Sequence, residues 1–196
     1  MPGWELIDHA EADMVQSVFE SGGVLMAHGF DSKRSRFFVR EFEQACLEIF
    51  SSNFCLAVSS GSAATRIALQ SVGVKKGDEV ITQAFNFIST IEAIRDVGAV
   101  PVVVNCNQNL HINLDEVIGR ITPLTRAIVV VHMLGMPGPI GELQDICRSN
   151  GIALIEDACE AVGARFDDFP VGTLGDVGVY SFDHGRWSQP GKAEWS

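Results

Sequence analysis

From Phe54 onward, short apolar runs rich in β-branched residues alternate with longer stretches of helix-like periodicity. Phe54 to Val58, Glu79 to Thr82, Val100 to Val104, Ala127 to Val131, Ile152 to Ile155 and Val177 to Tyr180 predict strands. Several lack polar alternation, as parallel strands covered on both faces do. Between them, Ser62 to Val72, Ile88 to Val97, Leu114 to Ile118 and Ile140 to Asn150 space their apolar residues as helices do. Gly73, Gly98 and Gly151 stand where a left-handed C-cap suits. Upstream, Phe38, Phe42, Ala45, Leu47 and Ile49 among charged neighbours predict an amphipathic helix from Phe37 to Phe50. The β-α-β series predicts an α/β fold, a doubly wound, mainly parallel sheet in a three-layer α/β/α arrangement. The polar stretch Ala27 to Arg36 is the expected mobile loop, and no repeat or interdomain linker stands out.

Composition narrows the class further. A chain of 196 residues with 46% hydrophobic content is long enough for one sizeable core. With 14 Lys and Arg against 25 Asp and Glu, the formal charge of -11 argues against nucleic acid as partner, because phosphate-backbone affinity comes from clustered cations. No stretch has membrane-spanning character and the first residues do not read as a secretory signal, so no membrane partner and a cytoplasmic location are expected. Cys46, Cys55, Cys106, Cys147 and Cys159 are odd in number and show no C-x-x-C spacing, so they read as small hydrophobes and no metal site is expected.

Two places carry candidate chemistry. Ser59-Ser60-Gly61-Ser62-Ala63 joins a predicted strand to a predicted helix, where first-turn amides and a hydroxyl make an anion site. The same residues also suit an ordinary turn with Ser60 or Ser62 as N-cap. Asp157 follows the run Ile152 to Ile155, at the end of a parallel strand where ligand-facing residues of an open sheet sit, although it suits a cap of the next turn as well. A G-x-G-x-x-G loop after the first strand is absent, which disfavours a dinucleotide fold. His132 and His184 read as packed residues.

These segments occur in a familiar order. Ser59 to Ala63, Gly77-Asp78-Glu79-Val80-Ile81, Ala84 to Thr90, Gly98-Ala99-Val100-Pro101-Val102, Ile121-Thr122-Pro123, Val131-His132-Met133-Leu134-Gly135 and Ile155-Glu156-Asp157-Ala158 resemble the DegT/DnrJ/EryC1/StrS sugar aminotransferases. The resemblance implies the large domain of a pyridoxal 5'-phosphate (PLP) transferase, truncated before its C-terminal part. It also implies amino transfer from an amino acid, glutamate foremost, to a keto sugar, in a homodimer whose subunits share each site. Gly61, Ser62 and Ala63 match the phosphate turn, and Ser181 a hydroxyl that contacts the phosphate or the neighbourhood of the lysine. Phe87 matches the aromatic that stacks on the ring, and Asp157 the partner of the pyridine nitrogen; Glu160 holds a position near the ring. Met1 to Leu6, Gly22 to Met26 and His28-Gly29-Phe30 resemble the branch that makes 8-amino-3,8-dideoxy-octulosonate, an eight-carbon sugar acid; nucleotide-linked keto-hexoses are the alternative substrates.

The sequence departs from the family at one decisive place. Arg186 occupies the position of the Schiff-base lysine, and a guanidinium stays protonated and offers no amine nucleophile, so Arg186 is expected to be non-functional. Residues 186–196 look like a family motif read out of frame. If Arg186 is encoded AGG, restoring one A changes the reading from Gly185 onward, with suitable codons, to Gly-Lys-Val-Val-Thr-Thr-Gly-Glu-Gly-Gly-Met-Val. That string is the family's lysine followed by its Gly-Glu-Gly-Gly signature. The expectation is therefore the N-terminal part of a large domain over 1–185, an out-of-frame tail over 186–196 and an inactive copy; a non-catalytic protein of the same fold is the alternative.

Overall fold

The computed structural model describes residues 7–183. The described residues fall into two compact units that divide between Ala57 and Val58. In the first, helix α1 (His9–Glu20) opens with a reciprocal cap: Asp8 accepts from the Ala10 amide at 2.8 Å, while its own amide donates to Glu11 at 2.8 Å. No residue of α1 is buried. The expected loop over residues 27–36 contains a 3-10 turn, Asp31–Lys33, and Arg34 donates to the Met26 and Ala27 carbonyls. Helix α2 (Phe38–Phe50) buries Cys46 and Phe50, and its Glu43 accepts from the Ala57 amide at 2.8 Å.

The predicted strand over Phe54 to Val58 is corrected here. It joins no ladder among the described residues, and Phe54 is 93% exposed. β-branched and aromatic composition favours a strand only in the context of partners and packing, so the run's composition does not by itself place it in the sheet.

The second unit begins with α3 (Gly61–Ser71), followed by β1 (Glu79–Gln83), α4 (Ile88–Asp96), β2 (Val100–Val104) and α5 (Leu114–Arg120). Then come β3 (Thr125–Val131), α6 (Ile140–Asn150), β4 (Ala153–Asp157), a small hairpin of β5 (Arg165–Phe166) and β6 (Phe169–Pro170), and β7 (Val177–Val179). Five strands form one parallel sheet in the order β2-β1-β3-β4-β7. Gly73, Gly98 and Gly151 adopt the left-handed conformation that ends α3, α4 and α6.

Strand alternation sorts the core into two faces. Val80, Ala127, Val129, Ile155 and Val179 pack with Leu69 of α3 and Ile94 of α4. Ile81, Ile128, Val130 and Leu154 pack with Val117 of α5 and Leu143 of α6. The predicted three layers and mainly parallel sheet are thus present. Near-continuous Val and Ile runs in β3 follow directly, since both of its faces are dry.

Candidate active site

The strand order reverses between β1 and β3, and open parallel sheets bind ligands beyond such a point, at the carboxyl ends of the strands. Gln83, 1% exposed, spans the widening gap: its Oε1 accepts from the Val131 amide at 3.1 Å and its Nε2 donates to the Phe85 carbonyl at 3.1 Å. The ladder itself stops at Thr82 and Val129, and Thr82 Oγ1 donates to the Val129 carbonyl at 2.9 Å. Beyond this edge lie the carboxylate of Asp157 and the first turn of α4.

The phosphate-like turn has the local structure its sequence predicts. Ser60 is extended and caps α3, accepting from the Ala63 amide at 3.2 Å. The amides of Gly61 and Ser62 are then the first-turn N–H groups that a helix leaves without an intrahelical acceptor. Gly61 packs against two other site segments: a Cβ there would lie 3.0 Å from Cys159 Sγ and 3.2 Å from Ser181 Cβ. Any side chain at position 61 therefore fills the cradle, and the buried Ser181 sits beside the turn.

Asp157 ends β4 on the face shared with α3 and α4, and is 4% exposed. Its Oδ2 accepts from Thr90 Oγ1 at 3.0 Å and its Oδ1 from the Cys159 amide at 3.2 Å. No Lys, Arg or His among the described residues forms an ion pair with it. A buried carboxylate so placed retains acceptor capacity for a charged donor from a ligand. Phe87 is the residue before α4 and its carbonyl accepts from the Thr90 amide at 3.2 Å, so one helical turn links this half-exposed ring to Asp157. Glu160 accepts from the Leu134 amide at 3.4 Å, which ties it to the Met133–Gly135 turn. Gly61, Ser181, Asp157 and Phe87 thus border one end of the sheet; Arg186 and His184 lie outside the described residues.

Sequence reasoning passed over Glu156. This carboxylate is fully buried on the opposite face of β4 and accepts from His132 Nε2 at 3.0 Å, Gly172 at 2.8 Å, Leu174 at 2.7 Å and Gly175 at 2.5 Å. Burial by itself raises its pKa, but the bonds from His132, Gly172 and Gly175 outweigh that and hold it below the ordinary carboxylate value. His132 is equally buried, and its Nδ1 accepts from the Gly138 amide at 2.9 Å, which leaves the ring proton on Nε2, facing Glu156. The glycines of Val171-Gly172-Thr173-Leu174-Gly175 are the one sequence signal for this network, since closely converging amides require such residues.

Two open grooves lie elsewhere. One, of about 520 Å³, is lined by Ser35, Arg36, Phe37 and Arg40 in the first unit. The other, of about 340 Å³, lies by Arg126, Gly151 and Asp176 at the amino ends of the strands, opposite the candidate site. Among the described residues no helix is long and apolar enough to cross a membrane.

A parallel α/β sheet with an amide-rich turn and, at its carboxyl end, a buried carboxylate that forms no ion pair among the described residues has the architecture in which open α/β sheets bind ligands. The chain belongs to the DegT/DnrJ/EryC1/StrS aminotransferase family, which it matches over residues 7–187. It is 34% identical to GDP-perosamine synthase of Vibrio cholerae over 155 residues, 79% of this chain and 42% of that protein. The solved structure of 3-amino-5-hydroxybenzoic acid synthase superimposes with a TM-score of 0.84 at 33% identity, covering 92% of this chain and 45% of the other. The structure of E. coli GDP-4-keto-6-deoxy-D-mannose-3-dehydratase with bound hydrated PLP gives a TM-score of 0.75 at 29% identity, covering 86% and 43%. The chain therefore spans less than half the length of these relatives.

Proposed function

We propose that this chain carries the N-terminal, cofactor-binding part of a PLP-dependent sugar aminotransferase. The carrying observation is that Gly61, Ser181 and Asp157, far apart in sequence, converge at one sheet edge. The residues fit the cofactor: the Gly61 and Ser62 amides with Ser181 suit its phosphate, Asp157 its pyridine N–H, and Phe87 its ring face. When bound, PLP supplies an electron sink for the amino-bearing carbon. Asp157 holds a proton at the ring nitrogen, Thr90 orients that carboxylate, and Cys159 and Ser181 close the space behind the phosphate turn.

The reaction we assign to the intact lineage moves an amino group from an amino acid, glutamate foremost, to a keto sugar or keto sugar acid in amino-sugar or cell-surface polysaccharide synthesis. A homodimer in the cytoplasm is part of this proposal. Arg186 favours a second reading for the chain as it stands, a non-catalytic PLP-fold protein, because arginine supplies no amine for covalent attachment. We attribute Arg186 and the residues after it to a one-base shift, which the hidden Gly-Glu-Gly-Gly string supports. Sequencing the coding DNA through codon 186 and downstream tests the shift. Titration of the purified chain with PLP tests the pocket: saturable binding weakened by Asp157→Ala is expected, and binding indifferent to that change would refute the assignment.

A further inference from the structure

We propose that Glu156 is the positioning residue of this site: from the face of β4 opposite Asp157, its carboxylate fixes two irregular segments that place Asp157, Glu160 and Ser181. The proposal rests on the cofactor reading above and deepens it. The first segment is 132–138. The His132 ring spans Glu156 and the Gly138 amide, while the His132 main-chain amide donates to the Asp157 carbonyl at 3.0 Å. Leu134, in the same segment, is left-handed at φ 55° and gives its amide to Glu160. The second segment is 171–175. Three of its amides converge on Glu156, and Tyr180 Oη donates to the Val171 carbonyl at 2.7 Å. This segment leads into β7, and Ser181 lies just beyond that strand, against Gly61.

A role confined to core stability accounts poorly for this arrangement. Burying a carboxylate carries a large desolvation cost, and apolar side chains of similar volume commonly serve a core as well. Its partners here are backbone amides of non-repetitive chain and a histidine, and each segment they fix runs into a candidate site residue. Gly175 shows how closely the segment is drawn in: a Cβ there would lie 2.6 Å from the Leu154 carbonyl oxygen. Each Glu156 oxygen serves two donors, so glutamine at 156 turns an NH₂ group toward either His132 and Gly172 or Leu174 and Gly175, and that pair loses its acceptor.

The test uses the 196-residue chain in four forms: unchanged, Glu156→Gln, Asp157→Ala and Val117→Ala. Val117 is fully buried on α5 in the same core cluster as Val171 and takes part in none of the hydrogen bonds to Glu156 or His132, so its truncation removes core packing while leaving every donor and acceptor of the network in place. PLP affinity is measured by absorbance titration at a temperature where circular dichroism shows each form folded. Glu156→Gln is expected to weaken binding about tenfold, as supporting residues behind a binding shell do, while Val117→Ala leaves it within about twofold. Equal losses in these two variants at equal loss of thermal midpoint would overturn the proposal, as would unchanged affinity in Glu156→Gln. Amide exchange without PLP gives a readout independent of the cofactor. Faster exchange in Glu156→Gln at 132–138, 171–175 and Ser181 supports positioning, and a change confined to 171–175 overturns it. If Asp157→Ala binds PLP normally, the pocket assignment fails while the exchange result still decides the role of Glu156. Should Glu156→Gln not fold, His132→Gln takes its place, with the same expected loss of affinity and faster exchange at 132–138.

Discussion

Asp157 and Glu156 are adjacent carboxylates with opposite surroundings, because a strand turns successive side chains to opposite faces. Asp157 meets Thr90 and the Cys159 amide and keeps acceptor capacity. Asp157→Ala is expected to weaken PLP binding by about tenfold, the cost of leaving one charged donor unpaired. Glu156 is saturated by four donors, so beside the positioning role proposed above it stabilises the fold, and the sign of that pH dependence follows. Its folded pKa lies below the ordinary 4.5, so the stabilisation is fully present above that value and is lost as pH falls through the folded pKa. Glu156→Gln is expected to cost about 3 kcal/mol near neutral pH, as breaking a buried charged pair does. In urea melts the gap from the unchanged chain should narrow below about pH 4.5; a gap that stays constant or widens on acidification contradicts this. Asp157 was legible in the sequence because it follows an apolar strand run. Glu156 was not, because its partners are backbone amides 16 to 19 residues on and a histidine 24 residues before, which no local pattern encodes.

At the scale of elements, the sequence pattern located helices and strands wherever burial is two-sided. β3 reads as Ala-Ile-Val-Val-Val and is a central strand; Gly73, Gly98 and Gly151 mark helix ends that the structure repeats. The pattern missed α1, whose residues are all partly or fully exposed, although its Asp8-Ile7-flanked start and Glu11 form a legible capping signature. It also overstated Phe54 to Val58, where composition favours a strand but no described edge receives it. The cap of α3 offers a test that separates folding from binding. Ser60→Ala removes the acceptor for the Ala63 amide and should lower stability by about 1 kcal/mol in urea melts. The Gly61 and Ser62 amides remain in place, so PLP affinity should fall less than for Asp157→Ala. A loss of binding larger than that of Asp157→Ala would mean that the Ser60 hydroxyl itself holds the phosphate.

For the whole molecule, the open edges of the sheet and the chemistry of position 186 make one argument. β2 and β7 are the edge strands of the described sheet, and β7 carries the segment that ends beside the phosphate turn. A strand edge that pairs with no other strand among the described residues, next to exposed apolar residues such as Phe182, favours association, so the purified chain should show concentration-dependent assembly in sedimentation. It should also show no transamination with glutamate and a keto sugar, and no cofactor fixed to residue 186 by borohydride in peptide mass spectra. Adding one base at codon 186 is expected to change all three results together. The restored frame supplies a lysine at position 186 and opens the reading into further chain, whose first strand the resemblance places along the edge beside Ser181. The longer product should sediment as a discrete dimer and, after borohydride, carry the cofactor's mass on the peptide holding that lysine. On the proposed cofactor reading, the arrangement at Gly61, Asp157 and Ser181 needs no change for this, since the three residues already lie together at the carboxyl end of the sheet. Stops in all three frames downstream of codon 186, or a continuation unlike the other half of the relatives, would leave Arg186 as a native residue and the chain as a binding protein without covalent chemistry.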